Sequence, residues 1–147
     1  MKIGLISCTK KKQNHICAAK KLYSKSTLFN NAWGYAFHNY DKTFILSAKH
    51  GLLFPNQRIE PYEKTLNKMN KKERLEWAGE VITHLIPLLN EGDIIYFHTG
   101  LKYREFLIPA LTLHGFKSVV PLKGLPLGKQ LQWYSRQDPD KTQLKLM

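Results

Sequence analysis

Three times along the chain a short apolar run breaks off into polar residues. Residues 3–6 lead into Ser7-Cys8-Thr9, Phe44-Ile45-Leu46 into Ser47-Ala48-Lys49-His50-Gly51, and residues 94–97 into His98-Thr99-Gly100. Apolar runs this short, without polar alternation, read as strands that need cover on both faces. Stretches of helical spacing lie between them, and strands that alternate with helices build a parallel sheet inside a three-layer α/β domain. The expected sheet is mainly parallel and four-stranded, with strands over residues 2–7, 44–46, 93–97 and 116–121. The C-terminal strand ends of such a sheet share one edge, so Ser7 and Cys8, Ser47 to His50, and His98 to Gly100 are expected to converge.

The helices are marked by period and by caps. Leu28, Phe29, Ala32, Trp33, Ala36 and Phe37 recur at helical intervals, with Ser24 or Ser26 placed as the cap and an end near Asn39. Asn70 with Glu73 forms a capping box ahead of Leu75, Ala78, Val81, Ile82, Leu85 and Leu89, and Pro87 is expected to kink or tighten the last turn. A third helix carries Tyr103, Phe106, Leu107, Ala110 and Leu111 on one face and stops at Gly115. A short helix is expected over residues 130–134. Residues 10–16 lack periodicity and read as a loop, and the segment after Gly51, through Pro55, Asn56 and Pro61, is a long irregular connection of the kind that usually carries function. The 147 residues make one α/β domain, with residues 137–147 expected to form a flexible tail.

Charge narrows the partner. The formal net charge is +12, and Lys2, Lys10, Lys11, Lys12, Lys20, Lys21 and Lys25 all precede the first acidic residue, Asp41. A field so concentrated and one-signed attracts polyanions, and a preponderance of lysine over arginine suits phosphate attraction better than bidentate reading of guanine. The partner expected is nucleic acid, DNA before RNA. No apolar run approaches the roughly 20 residues of a membrane span, so a cytoplasmic location with no membrane partner is expected. Cys8 and Cys17 are too few and too poorly spaced for a zinc site, and a cytosolic setting argues against pairing them. Walker, dinucleotide, metal-triad and nucleophile-elbow motifs are lacking, so neither cofactor nor metal is expected.

Several residues at the expected edge carry usable chemistry. Lys49, among other cations, is a phosphate ligand or, deprotonated, an amine nucleophile; a surface lysine beside a capping histidine, His50, is the plain alternative. His98 is a donor to a base or sugar oxygen, or a general acid. Gly100 gives a ligand access to the N-terminal amides of the third helix. Cys8 is preferred as a small buried side chain over a thiolate activated by Lys10 and Lys12. Glu60 and Glu63 are the carboxylates able to swing over the edge and activate a water. Tyr23, Tyr62, Tyr103, Trp133 and Tyr134 are candidates to stack on a base, with core packing the default for each.

The blocks Ser7 to Lys12, Leu22-Tyr23-Ser24, Ile45 to Leu53, Pro61-Tyr62-Glu63 with Thr65-Leu66, Trp77-Ala78, Gly100 with Tyr103-Arg104, and Pro121-Leu122 with Gly128 resemble a small bacterial and phage family of domains of unknown function. More distantly the chain is similar to the peroxide-stress YaaA proteins. It is also similar to a domain of archaeosine synthase, whose cysteine, lysine, tyrosine and serine motif matches Cys8, Lys20 or Lys21, Tyr23 and Ser24. The resemblance implies a uracil-DNA-glycosylase-like sheet and work on nucleobases or DNA. Lysines 10 to 12 stand where uracil-DNA glycosylases carry a water-activating aspartate, and no His-Pro-Ser motif follows, which moves the expected chemistry to Lys49 and Glu63, with His98.

The resulting expectation is a DNA-glycosylase-like enzyme acting on the N-glycosidic bond of a modified or flipped base. Lys10, Lys12, Lys20, Lys21 and Arg104 would hold phosphates. Ser7, Cys8, Tyr23, Ser47, His50, Tyr62, Gly100 and Tyr103 would contact base or sugar. The alternatives are an enzyme modifying 7-deazapurines and a non-enzymatic DNA-binding protein of phage or stress response.

Overall fold

A computed structural model of the protein describes residues 1–137. Its centre is β1 (Lys2–Ser7), flanked in parallel by β3 (Lys42–Ser47) and β6 (Ile94–His98), so that Leu5 lies between Phe44 and Phe97. Ile3, Leu5, Ile45, Leu46, Ile95 and Phe97 are buried, as unbroken apolar runs require in a sheet covered on both faces. β7 (Lys117–Val119) adds in parallel to β6, and β4 (Gly51–Leu53) adds antiparallel to β3.

The sheet is therefore five-stranded and mixed, in the order β4-β3-β1-β6-β7, rather than four-stranded. The added strand has a local cause: Gly51 adopts φ 70°, a conformation that favours glycine, and folds the chain back so that Leu52 and Leu53 pair with Leu46 and Ile45. Part of the expected irregular connection is also structured. β5 (Arg58–Ile59) pairs antiparallel with β2 (Cys17–Ala18), tying the lysine-rich loop to the segment after the central hairpin. Next to β2 lies α1 (Ala19–Leu22), a single turn that its lysines did not signal.

α2 (Thr27–Asn39) connects β1 to β3 on one side of the centre, whereas the helices after β3 lead to the other side. With right-handed crossovers this places them on opposite faces and gives three layers. Of the two cap candidates Ser26 is used, its hydroxyl accepting from the Phe29 amide at 3.2 Å. α3 (Lys71–Leu85) begins at the Asn70–Glu73 capping box and buries Trp77, Ala78, Val81 and Leu85; it then tightens into a 3-10 turn over Ile86–Leu88 that contains Pro87. The expected third helix is two pieces, α4 (Leu101–Arg104) and α5 (Leu107–Leu113), and Gly115 at φ 86° ends the second. The last helix, α6 (Leu127–Gln137), is longer than residues 130–134 and packs against α2. The expected tail, Gln137 apart, lies outside the described residues. No helix among the described residues is long and apolar enough to cross a membrane.

β1, β3 and β6 all end on one edge, and the strand order reverses between β1 and β6, where the chain turns from building one side of the sheet to building the other. Open α/β sheets bind ligands in such a crevice.

Candidate functional site

The Cys8 amide donates to the Leu46 carbonyl at 2.8 Å, which extends the pairing of β1 with β3 and fixes Cys8 beside the end of β3. There, Ser47 is wholly buried. Its hydroxyl donates to the Tyr62 hydroxyl at 2.7 Å and accepts the amides of Lys49 at 3.2 Å and His50 at 3.0 Å. Its carbonyl accepts from the Trp77 indole at 2.9 Å. The Tyr62 and Tyr23 hydroxyls meet at 2.6 Å, and burial pushes both phenols well above their ordinary range, which keeps them neutral.

The lysine-rich loop closes over this cluster. The half-buried Lys12 ammonium lies 4.6 Å from the centre of the Tyr62 ring, a cation–π placement, and 5.9 Å from that of Tyr23. Burial draws its pKa below the ordinary lysine value, an effect opposed by nearby Cys8 and Glu63. The Cys8 sulfur is 3.1 Å from the hydroxyl of Tyr103, whose ring stands edge-on to Trp77. Cys8 and Tyr103 line an open cavity of about 710 Å³, bordered by Lys10, Lys12, Lys64 and Lys68 and, among the described residues, by a single carboxylate, Glu63.

A second cavity, of about 330 Å³, opens between the ends of β1 and β6 and is lined by Ser7, His98, Gly100 and Arg104 among others. His98 is buried, with Nδ1 2.7 Å from the Tyr134 hydroxyl and Nε2 in contact with that of Tyr40. Burial pushes its pKa down to about 4, so the ring is neutral near pH 7. Thr9 lines both cavities and separates them.

The expected convergence thus takes place, but into two compartments. Cys8, Lys10, Lys12, Glu63 and Tyr103 share the larger one; Ser7, His98, Gly100 and Arg104 share the smaller. Lys49 enters neither. Its side chain is exposed at the tip of the β3–β4 turn, and only its backbone amide reaches the Ser47 cluster. His50 is exposed as well and sets its ring perpendicular to Tyr62 at 5.4 Å. Tyr23 and Tyr62 are core residues and have no face free for a base. Lys20 and Lys21 line neither cavity, because α1 turns away along β5 through the Lys20 amide's bond to the Pro55 carbonyl. His98, expected as an acid or donor, has both ring nitrogens engaged by tyrosines.

Sequence reasoning missed Lys64, Thr65, Asn67 and Lys68. Their signal was the pair of lysines four apart around Leu66, whose full burial turns its neighbours outward. It also missed Tyr40, which no motif distinguishes. Among the described residues no group of three or more His, Cys, Asp or Glu side chains is placed to hold a metal.

Fold and site together define an α/β protein with a mainly parallel, mixed five-stranded sheet whose C-terminal edge carries a basic cavity beside a smaller one. The chain belongs to a family of unknown function (DUF6884), whose model matches residues 3–136. No curated protein and no solved structure matches it.

Proposed function

We propose that the protein is a DNA-glycosylase-like enzyme that acts on the N-glycosidic bond of a modified or flipped base in DNA. The carrying observation is the larger cavity, in which four lysines surround one carboxylate at the C-terminal edge of the sheet. Its 710 Å³ lies within the range of roughly 300–1,000 Å³ usual for ligand pockets. The sheet order, with its crevice at the β1 and β6 ends, supports reading the fold as uracil-DNA-glycosylase-like. Cys8 near enough to Tyr23 to bear on its electrostatics, two of the four motif residues, supports the distant likeness to the YaaA proteins and to archaeosine synthase. A cytoplasmic location belongs to the same reading and agrees with two free cysteines.

Lys10, Lys12, Lys64 and Lys68 hold the phosphates that flank the target nucleotide, and Tyr103 replaces Tyr23 and Tyr62 as the aromatic face for an extruded base. Glu63, exposed on the rim, takes a proton from water as the water oxygen bonds to C1′ of the sugar. The C1′–N electron pair leaves with the base, which takes up a proton from solvent. The negative carboxylate also stabilises the positive charge that develops on the sugar.

The test is to incubate the protein with DNA from modified and unmodified phages and to measure free bases by mass spectrometry. A released base is expected, and Glu63→Gln is expected to lower its rate by about 10²-fold or more, the usual worth of a general base, while DNA affinity is kept. A base altered but not released points to a base-modifying enzyme, including one for 7-deazapurines, and overturns the glycosylase reading. DNA binding with neither outcome reduces the protein to a binding module.

A further inference from the structure

The smaller cavity carries an inference independent of the reading above. It sits where the strand order reverses, between the ends of β1 and β6, and Leu28 and Phe29 from α2 and Leu122 and Leu125 from the segment after β7 give it apolar walls. Its polar groups gather at the strand ends. Among the described residues Arg104 is the one lining side chain that carries a formal charge at pH 7, since His98 is neutral and no described Asp or Glu lines the cavity. The Arg104 guanidinium is half-buried and donates from Nη1 to the Thr99 carbonyl, yet no carboxylate pairs with it among the described residues. The adjacent Glu105 is already engaged, its Oε1 accepting from Arg74 Nε at 2.7 Å.

A cation partly drawn out of water without a counter-ion is costly unless an anion completes it. We propose that this cavity binds a small organic monoanion, its carboxylate held by Arg104 and its compact apolar body resting on the leucine and phenylalanine walls. A planar guanidinium suits a carboxylate, whose two oxygens it can meet side by side. The volume of 330 Å³ is at the lower end for ligand sites and suits a small molecule. His98 closes one wall as a neutral ring clamped by Tyr40 and Tyr134, which adds shape without charge.

Benzoate is the probe, with benzamide as its neutral counterpart, followed by titration calorimetry and by methyl and amide NMR shifts. Saturable one-to-one binding of benzoate is expected, with shifts at Leu122 and Leu125 and none at Lys64 or Lys68. Benzamide, and benzoate on Arg104→Gln, are each expected to bind roughly tenfold or more weakly, the usual loss when a charged hydrogen bond goes. Arg104→Lys, which keeps the charge and gives up the planar fork, provides a second and milder weakening if Arg104→Gln does not fold. Lys12→Ala is expected to leave benzoate affinity unchanged. Absence of saturable binding, equal affinity for benzamide, or loss of binding with Lys12→Ala overturns the proposal, and none of these outcomes bears on base release.

Discussion

Two histidines at the same edge, His50 and His98, show how far environment decides what a residue can do. His50 is exposed on a turn, whereas His98 is buried between two tyrosine hydroxyls whose own phenols burial holds neutral, with the Tyr35 ring also against it. Its pKa is pushed down to about 4 from the model-peptide 6.5. Between those two values the unfolded chain binds a proton that the folded protein does not, so folding stability falls as pH drops from 6.5 toward 4 and is fully retained above that window. The full effect is about 3 kcal/mol at 1.36 kcal/mol per pKa unit. Urea unfolding between pH 4 and pH 8 is expected to show this slope in the wild type and a shallower one in His98→Gln; parallel curves would show that His98 titrates normally. Sequence placed His98 and Lys49 at the strand-end edge, where both lie, but not the surroundings of either. A strand-end position says that a side chain reaches the edge; it does not say whether neighbours saturate it, as the tyrosines do, or whether the turn carries it outward, as at Lys49.

Among the elements, those legible in the sequence are those whose own residues determine them. The start of α3 is written in Asn70 and Glu73, which satisfy each other's backbone amides at 2.8 and 3.0 Å, and β1 is written in a run that tolerates no exposure. The elements that escaped depend on partners. β2 and β5 are two residues each and exist through one another, and β4 exists because Gly51 returns the chain to β3; the division of the expected third helix is the exception, since Pro109 has no amide for the Glu105 carbonyl and the helix breaks there. Gly4 in β1 illustrates the reverse case, an irregularity visible in the sequence whose cause is tertiary. A Cβ there would lie 2.5 Å from Cδ2 of Tyr40, the residue that ends α2 and binds His98. Gly4→Ala is therefore expected to cost about 1–3 kcal/mol, the usual price of overpacking, and to displace the Tyr40 ring. Thermal unfolding checks the first effect and the NMR shifts of His98 the second; an unchanged melting temperature would show that Tyr40 yields freely.

For the whole molecule the dominant property is charge, +12 over 147 residues, and the fold concentrates part of it at the larger cavity. If those lysines meet phosphates, DNA affinity falls steeply with salt, and each of Lys12→Ala, Lys64→Ala and Lys68→Ala is expected to lower the slope of log K against log salt by about 0.9. Lys20→Ala and Lys21→Ala, outside the cavity, are expected to change it less. Fluorescence anisotropy across a salt series measures this, and equal effects at all five positions would mean a diffuse field instead of a site. The sheet order has a further consequence, for how the chain comes to be folded. Of the described strands β1 is the earliest in the chain and the most central, and it needs β3 on one side and β6, from the last third of the described chain, on the other. Until β6 emerges from the ribosome, one edge of an almost wholly apolar strand stands open, and the crevice between β1 and β6 has only one wall. The nascent chain therefore passes through a stage with an unprotected edge in its core, and the smaller cavity is a product of the last parallel pairings to close.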